Sequence, residues 1–159
     1  MQAGSSGRPV TAARHLRAGL VLLGWEESRH RPEVQEEHRP VVARLLISLA
    51  HVEAEQGRTE QGLRLLDEAG EMTAPADRGI LLSQRGLLLM RTWRTGEALP
   101  LFDAAVPLLD GYPDARVLAR LLLNRGFLHL NVGRVHRAGQ CEQDDDDGAR
   151  ALHPLPPRG

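Results

Sequence analysis

The chain has 159 residues, the length of one ordinary domain, and its formal net charge of −1 argues against a general surface for nucleic acid or for anionic membranes. Hydrophobic residues make up 42% of the chain but aromatic residues only 3%, so we expect a core of Leu, Ala and Val. All 20 basic residues are Arg. The lack of Lys excludes enzymes that use a lysine nucleophile or Schiff base.

The first half of the chain reads as helices separated by polar stretches. We expect residues 1–8 to be flexible and residues 9–23, PVTAARHLRAGLVLL, to form a lone helix, because their apolar residues recur at helical spacing. The polar residues 24–40 predict an inserted loop. Helical spacing resumes at residues 45–52 and 63–69, with Gly57-Arg58-Thr59 as a break between them.

The second half continues this pattern of paired helices. Residues 80–92 and 97–109 have the spacing of two helices, although Pro100 predicts that the second one starts later or kinks. A further helix is predicted to begin after Asp114, a typical N-cap residue, and to end near Gly133.

Two leucine-rich stretches, LLSQRGLLL (81–89) and LLLNRGFLHL (121–130), carry Arg-Gly at their centre. Glycine in a helix interior costs about 0.5–1 kcal/mol relative to alanine, so its recurrence indicates helices that approach each other closely. We take Ala50, Gly86 and Gly126 as the anchor residues of three units. A second small residue follows each anchor twelve positions later, which predicts a contact between the two helices of each hairpin. The predicted contacts are Ala50 with Gly62, Gly86 with Ala98, and Gly126 with Ala138, and Phe102 is the large apolar packing residue that follows Ala98.

These offsets resemble the tetratricopeptide repeat, a 34-residue helix-turn-helix unit. The anchors here lie 36 and 40 residues apart, and Leu82 and Leu89 stand where the first helix of the motif has Trp and Tyr. The resemblance implies an all-α fold over residues 9–139, a short solenoid of about two and a half to three repeats. Residues 7–138 are rich in Arg and free of Lys, and they contain the stretches SLAHVEAEQGRTEQGLRLLDEA and LLLNRGFLHLNVGR. In these features they also resemble the repeat arrays that precede CHAT domains, caspase-like peptidase domains, in actinobacterial proteins.

The resemblance implies a protein–protein interaction module and not an enzyme, with no cofactor. The concave face of the first helices would bind a peptide or a partner helix, or would pack on further repeats or a partner domain. The alternative is a regulatory arm, or a truncated fragment, of a CHAT-domain peptidase or a transcriptional regulator. The residues mapped to this candidate groove are Arg44, Ile47, His51, Ser83, Leu87, Met90, Arg91, Arg120, Leu123, Phe127, Leu130 and Asn131.

Catalytic and metal sites are not expected. Cys141 is the only cysteine, so no internal disulfide forms, and the neighbouring acidic run at 144–147 would raise the pKa of its thiol. The spacing of His129, His136 and Cys141 matches no common zinc pattern. The N-terminus lacks the apolar run of a signal peptide, and no apolar stretch reaches the ~20 residues that cross a bilayer. We therefore expect a soluble cytoplasmic protein.

Residues 140–159 are predicted to be a disordered tail, because four adjacent aspartates repel each other and three prolines follow near the end. Helical structure would then stop near Ala138. The last predicted helix would be left with an uncovered apolar face at Leu122, Leu128 and Leu130. Such a face predicts self-association or binding to another chain.

Overall fold

The computed structural model describes residues 7–27 and 34–150, except for the side chains of residues 132 and 134–150. Within these residues the fold is all-α, as predicted, with two short 3₁₀ turns and no strand. None of the described helices is both long enough and apolar enough to cross a membrane. The helices are α1 (Gly7–Leu22), α2 (Arg39–Glu55), α3 (Thr59–Gly70), α4 (Arg78–Arg91), α5 (Thr95–Leu109) and α6 (Ala115–Arg150), and the 3₁₀ turns are Glu36–His38 and Pro75–Asp77.

The first hairpin is formed by α2 and α3, which meet where the sequence places two small residues. A Cβ atom built on Gly62 would lie 2.7 Å from the carbonyl oxygen of Ala50 and 2.8 Å from a methyl carbon of Leu88. Glycine therefore lets α3 rest directly on the backbone of α2 while α4 packs behind it. The predicted contact between Ala50 and Gly62 is confirmed.

The second hairpin is formed by α4 and α5 and has its closest approach at a different residue from the one predicted. A Cβ on Gly86 would lie 2.6 Å from the Phe102 ring, so the neighbour nearest to Gly86 is Phe102 and not Ala98. Ala98 is fully buried, but the long Phe102 side chain fills the space over the glycine. A second glycine, Gly79, packs against the end of α5, since a Cβ built on it would lie 2.8 Å from Cγ of Leu109.

The polar stretch 24–40 is only partly a loop. Trp25 is buried, and its indole Nε1 donates a hydrogen bond of 3.0 Å to Glu68 of α3, so it belongs to the core. Sequence spacing could not show this, because a single aromatic residue among polar ones has no period. Residues 28–33 of the expected loop, and residues 1–6 of the expected flexible N-terminus, lie outside the described residues. Gly7 and the residue after it already belong to α1.

Helix α5 starts at Thr95, earlier than expected, and contains both Pro100 and Pro107. Each proline removes the hydrogen bond to the carbonyl four residues earlier, at Gly96 and at Asp103. The two prolines lie two turns apart, and all four residues are exposed. Water can therefore hydrate the freed carbonyls, which explains why a helix with two interior prolines is tolerated here.

The predicted third hairpin is wrong, because α6 continues as one helix past Gly133 to Arg150. Gly126 and Ala138 lie on this same helix, about 18 Å apart along its axis, and a Cβ on Gly126 would meet nothing within 4 Å. An interior glycine costs only about 1 kcal/mol, and no proline occurs between residues 115 and 150 to stop the helix. The predicted end of helical structure near Ala138 is therefore also wrong, while residues 151–159 lie outside the described residues.

Helix α6 packs on α5 and α4 through a side that carries Leu121 and Leu128, both fully buried. The two residues are seven positions apart and so share one side of the helix. The assignment of Leu128 to an uncovered face is therefore wrong. An ion pair of 2.6 Å between Arg125 and Asp103 of α5 fixes the same docking.

Candidate partner-binding groove

Helices α2, α4 and α6 lie side by side, with α4 in the middle. We call the surface that these three helices share the inner groove. The partner-binding residues predicted from the sequence were assigned to this surface. The partly or largely exposed residues of the inner groove are His51, Leu87, Met90, Arg91, Arg120, Phe127, Leu130 and Asn131.

The polar centre of the inner groove is His51. Its Nδ1 lies 2.9 Å from Nε2 of Gln84, and its Nε2 lies 3.2 Å from a carboxylate oxygen of Glu55. Burial is the largest influence and lowers the pKa of His51; Glu55 raises it, and the positive charges of Arg91 and Arg120 lower it further. Residues from α2, α4 and α6 therefore act on one another electrostatically at this point, and the imidazole is mainly neutral at pH 7.

The two arginines of the inner groove differ from most arginines in the described structure. Arg91 and Arg120 are exposed, and neither forms an ion pair with a carboxylate among the described side chains. Arg44, which was predicted on the same face, donates two hydrogen bonds of 2.6 and 3.1 Å to the buried Asp77. That hydrogen-bonded pair raises the pKa of Arg44 and ties α2 to the start of α4. The free positive charge of the inner groove is therefore concentrated at Arg91 and Arg120.

The apolar part of the inner groove is most exposed on α6. Phe127 and Leu130 are more than half exposed, whereas Leu87 and Met90 of α4 are only partly exposed. Ile47 is buried, so its assignment to this face is wrong; it belongs to the core beneath α2. The exposed apolar surface of the inner groove therefore lies mainly on α6, and we call this part the apolar wall.

A buried carboxylate, Glu53, lies near the same C-terminal end of α2 as His51 but faces α1 and α3. Its oxygens accept hydrogen bonds from Arg17 of α1, at 2.7 Å, and from Arg58 at the start of α3. Burial alone would raise the pKa of Glu53, but the hydrogen bonds and charges of Arg58 and Arg17 outweigh it and lower the pKa. These residues line a polar cleft of about 600 Å³ in which acidic and basic side chains neutralise each other. We assign the cluster to helix docking.

The structure adds one residue that the sequence did not single out. Trp93, in the turn between α4 and α5, is 82% exposed and has a φ of +62°. It stands seven residues after Gly86, as Gly57, with a φ of +81°, stands seven residues after Ala50. The sequence could have identified Trp93 through the repeat offset, because this bulky residue stands at the position where the preceding hairpin has Gly57.

Among the described side chains, no group of three His, Cys, Asp or Glu residues could hold a metal ion. The side chains of His136, Ala138 and Cys141 lie outside that description.

Comparisons with models of protein families, with curated proteins and with solved structures give no match.

Proposed function

We propose that the chain is a protein–protein interaction module of the tetratricopeptide-repeat type. The 36-residue offset between Ala50 and Gly86 supports this assignment, because the helix that follows each of these residues packs closely over it. The fully buried Ala69 and Ala105 occupy the same offset in the two hairpins. Small residues at the same offsets in two successive hairpins are the pattern of a helical repeat.

The inner groove is the proposed binding surface, and one observation carries this proposal. Arg91 and Arg120, from two helices, act on the same imidazole and lack carboxylate partners among the described side chains, beside the apolar residues Phe127 and Leu130. A partner segment with acidic and apolar residues would neutralise the arginines and cover the apolar wall. We therefore propose a peptide or a helix of that composition as the partner.

The test is a selection from a peptide library displayed on phage, followed by fluorescence anisotropy of the selected peptides. We expect enrichment of acidic-apolar sequences, and binding weakened at least tenfold by Arg91→Glu or Arg120→Glu. Arg78→Glu, at the exposed start of α4, is the matched control and should leave the affinity unchanged. Selection of basic peptides, or equal loss of affinity with the control variant, would refute the assignment of this groove.

The alternative is a regulatory arm, or a fragment, of a CHAT-domain peptidase or a transcriptional regulator. The exposed apolar residues Leu122 and Leu123 on α6 favour it, because a further domain could pack on them. A peptidase or a DNA-binding protein encoded beside this chain that binds it in purified form would support this alternative.

A further inference from the structure

One side of α6 is apolar and uncovered. Leu123, Phe127 and Leu130 are 72%, 54% and 67% exposed, and their spacing of four and three residues puts them on one side of the helix. Gly126 lies among them, with open space where a Cβ would be. We call these four residues the α6 face.

The α6 face has the same two components as the closest contact inside the molecule. In the second hairpin, the ring of Phe102 lies directly over Gly86. On α6, a phenylalanine and a glycine are neighbours, at 127 and 126. Two copies of α6 packed antiparallel, with a two-fold axis between these residues, would place each Phe127 over Gly126 of the other copy. The same register sets Leu123 level with Leu130 of the other copy.

We propose that the α6 face is a self-association surface on which a second copy of this chain packs antiparallel, Phe127 against Gly126. The face is complementary to itself because each large side chain meets a small or apolar one across the axis, as a two-fold interface requires. The open space at Gly126 leaves room for the incoming ring.

Within the contact, residues 120–133, no two like charges are set level across the axis: Arg120 lies level with Gly133, and Arg125 with the buried Leu128. About one turn beyond the contact, Arg116 is set level with Arg137 of the other copy, so a like-charge pair bounds the contact at each end. Arg125 also points to the opposite side of the helix, where it pairs with Asp103 of α5. About four turns of helix bury less than the ~800 Å² per partner of a standard stable interface, so we expect dissociation in the micromolar range.

Sedimentation velocity of the full chain, from about 1 to about 200 µM, tests the surface. We expect a reversible transition from monomer to dimer that Gly126→Leu weakens at least tenfold. The new side chain meets nothing within the monomer, so helix content and thermal stability at low concentration should be retained. Leu22→Ser removes an 86% exposed leucine on α1 and is the control that should leave the dimer unchanged.

Disulfide formation under mild oxidation tests the register. In a Cys141→Ser background, Gly126→Cys places the thiols of two copies beside the axis, and we expect a covalent dimer. The native chain should not cross-link, because the two Cys141 positions would lie about 40 Å apart along the antiparallel helices. A monomer at the highest concentration, a dimer insensitive to Gly126→Leu, or a dimer linked through Cys141 would overturn the proposal.

Discussion

The glycines inside helices differ in what an added methyl group would meet, and this difference decides the effect of alanine. For Gly62→Ala we expect a loss of about 1–3 kcal/mol of unfolding free energy, because the new Cβ would lie 2.7 Å from the Ala50 carbonyl oxygen, a backbone atom that cannot turn away. Gly19→Ala is the control, since its Cβ would lie 3.6 Å from Leu45, an ordinary contact. That variant should gain up to about 1 kcal/mol of helix propensity.

Urea unfolding followed by circular dichroism measures both changes. If Gly62→Ala were as stable as the native chain, α2 and α3 would not be in backbone contact at Ala50.

His51 is expected to titrate below the ordinary range near pH 6.5, because burial lowers its pKa and Arg91 and Arg120 lower it further. The neutral imidazole of His51 then makes its full contribution to the unfolding free energy above about pH 6.5. That contribution is lost as the pH falls toward the lower pKa of the folded state, because the unfolded chain binds the proton more readily. NMR titration of the imidazole measures the shift. Replacing both arginines by glutamine should raise the pKa of His51, and an unchanged value would mean that they do not share its surroundings.

At the scale of elements, the turn between α4 and α5 contains a residue with an unfavourable backbone conformation. Trp93 has a φ of +62°, a region in which glycine is favoured by roughly 1 kcal/mol, and little of its side chain is buried. We expect Trp93→Gly to raise the unfolding free energy by about 0.5–1 kcal/mol. Gly57→Ala, in the equivalent turn of the first hairpin, should lower it. A loss of stability in Trp93→Gly would show that the indole makes stabilising contacts.

The docking of three helices depends on Glu53, which accepts hydrogen bonds from Arg17 on α1 and from Arg58 at the start of α3. We expect Glu53→Gln to lower the unfolding free energy by about 1–3 kcal/mol, because a neutral amide accepts the hydrogen bonds of two charged donors more weakly than a carboxylate does. Because the pKa of Glu53 is lowered, its contribution is present above about pH 4.5 and is lost as the pH falls below it. Glu60→Gln, at an exposed glutamate, is the control.

Thermal melts at pH 7 and pH 3.5 check this expectation. The stability gap between Glu53→Gln and the native chain should shrink at the lower pH. A gap that stays constant would mean that the charge of Glu53 is not what holds the helices together.

Most helices could be predicted from the sequence, because apolar residues recur at helical spacing and form a stripe along one side of each helix. The stripe predicted α2 to α5 and the packing of Gly62 on Ala50. It could not predict that α6 continues past Gly133, since continuing a helix requires no apolar side once the preceding turns are formed. Trp25 was missed for a similar reason, because it is an isolated core residue without a period.

For the whole molecule, the pairing of α2 with α3 and of α4 with α5 followed from the repeat offsets, and the inner groove was expected from the resemblance to the tetratricopeptide repeat. The residues that tie the helices together could not be predicted. Asp77 and Arg44 are 33 residues apart, as are Gln84 and His51, and nothing local in the sequence links them. The sequence also placed Ile47 on the surface, because helical spacing defines a side of a helix but not which side another helix will cover.

The α6 face and the inner groove share Phe127 and Leu130, so one pair of side chains would serve both proposed surfaces. A second copy on α6 would then exclude a peptide from the groove. We expect the peptides selected for the groove to shift the monomer–dimer equilibrium toward monomer in sedimentation experiments. A peptide that bound equally to monomer and dimer would show that the two surfaces are independent.

The two tryptophans of the chain also provide two optical reporters at separate places. Trp25 is enclosed and hydrogen-bonded to Glu68, so its fluorescence should lie to the blue and resist quenching by acrylamide. Trp93 is open to solvent and should emit to the red and be quenched readily. The emission of Trp25 therefore follows the detachment of α1 from the stack, while Trp93 records events at the tip of the second hairpin. Comparing their transitions shows whether the helices melt together or from one end.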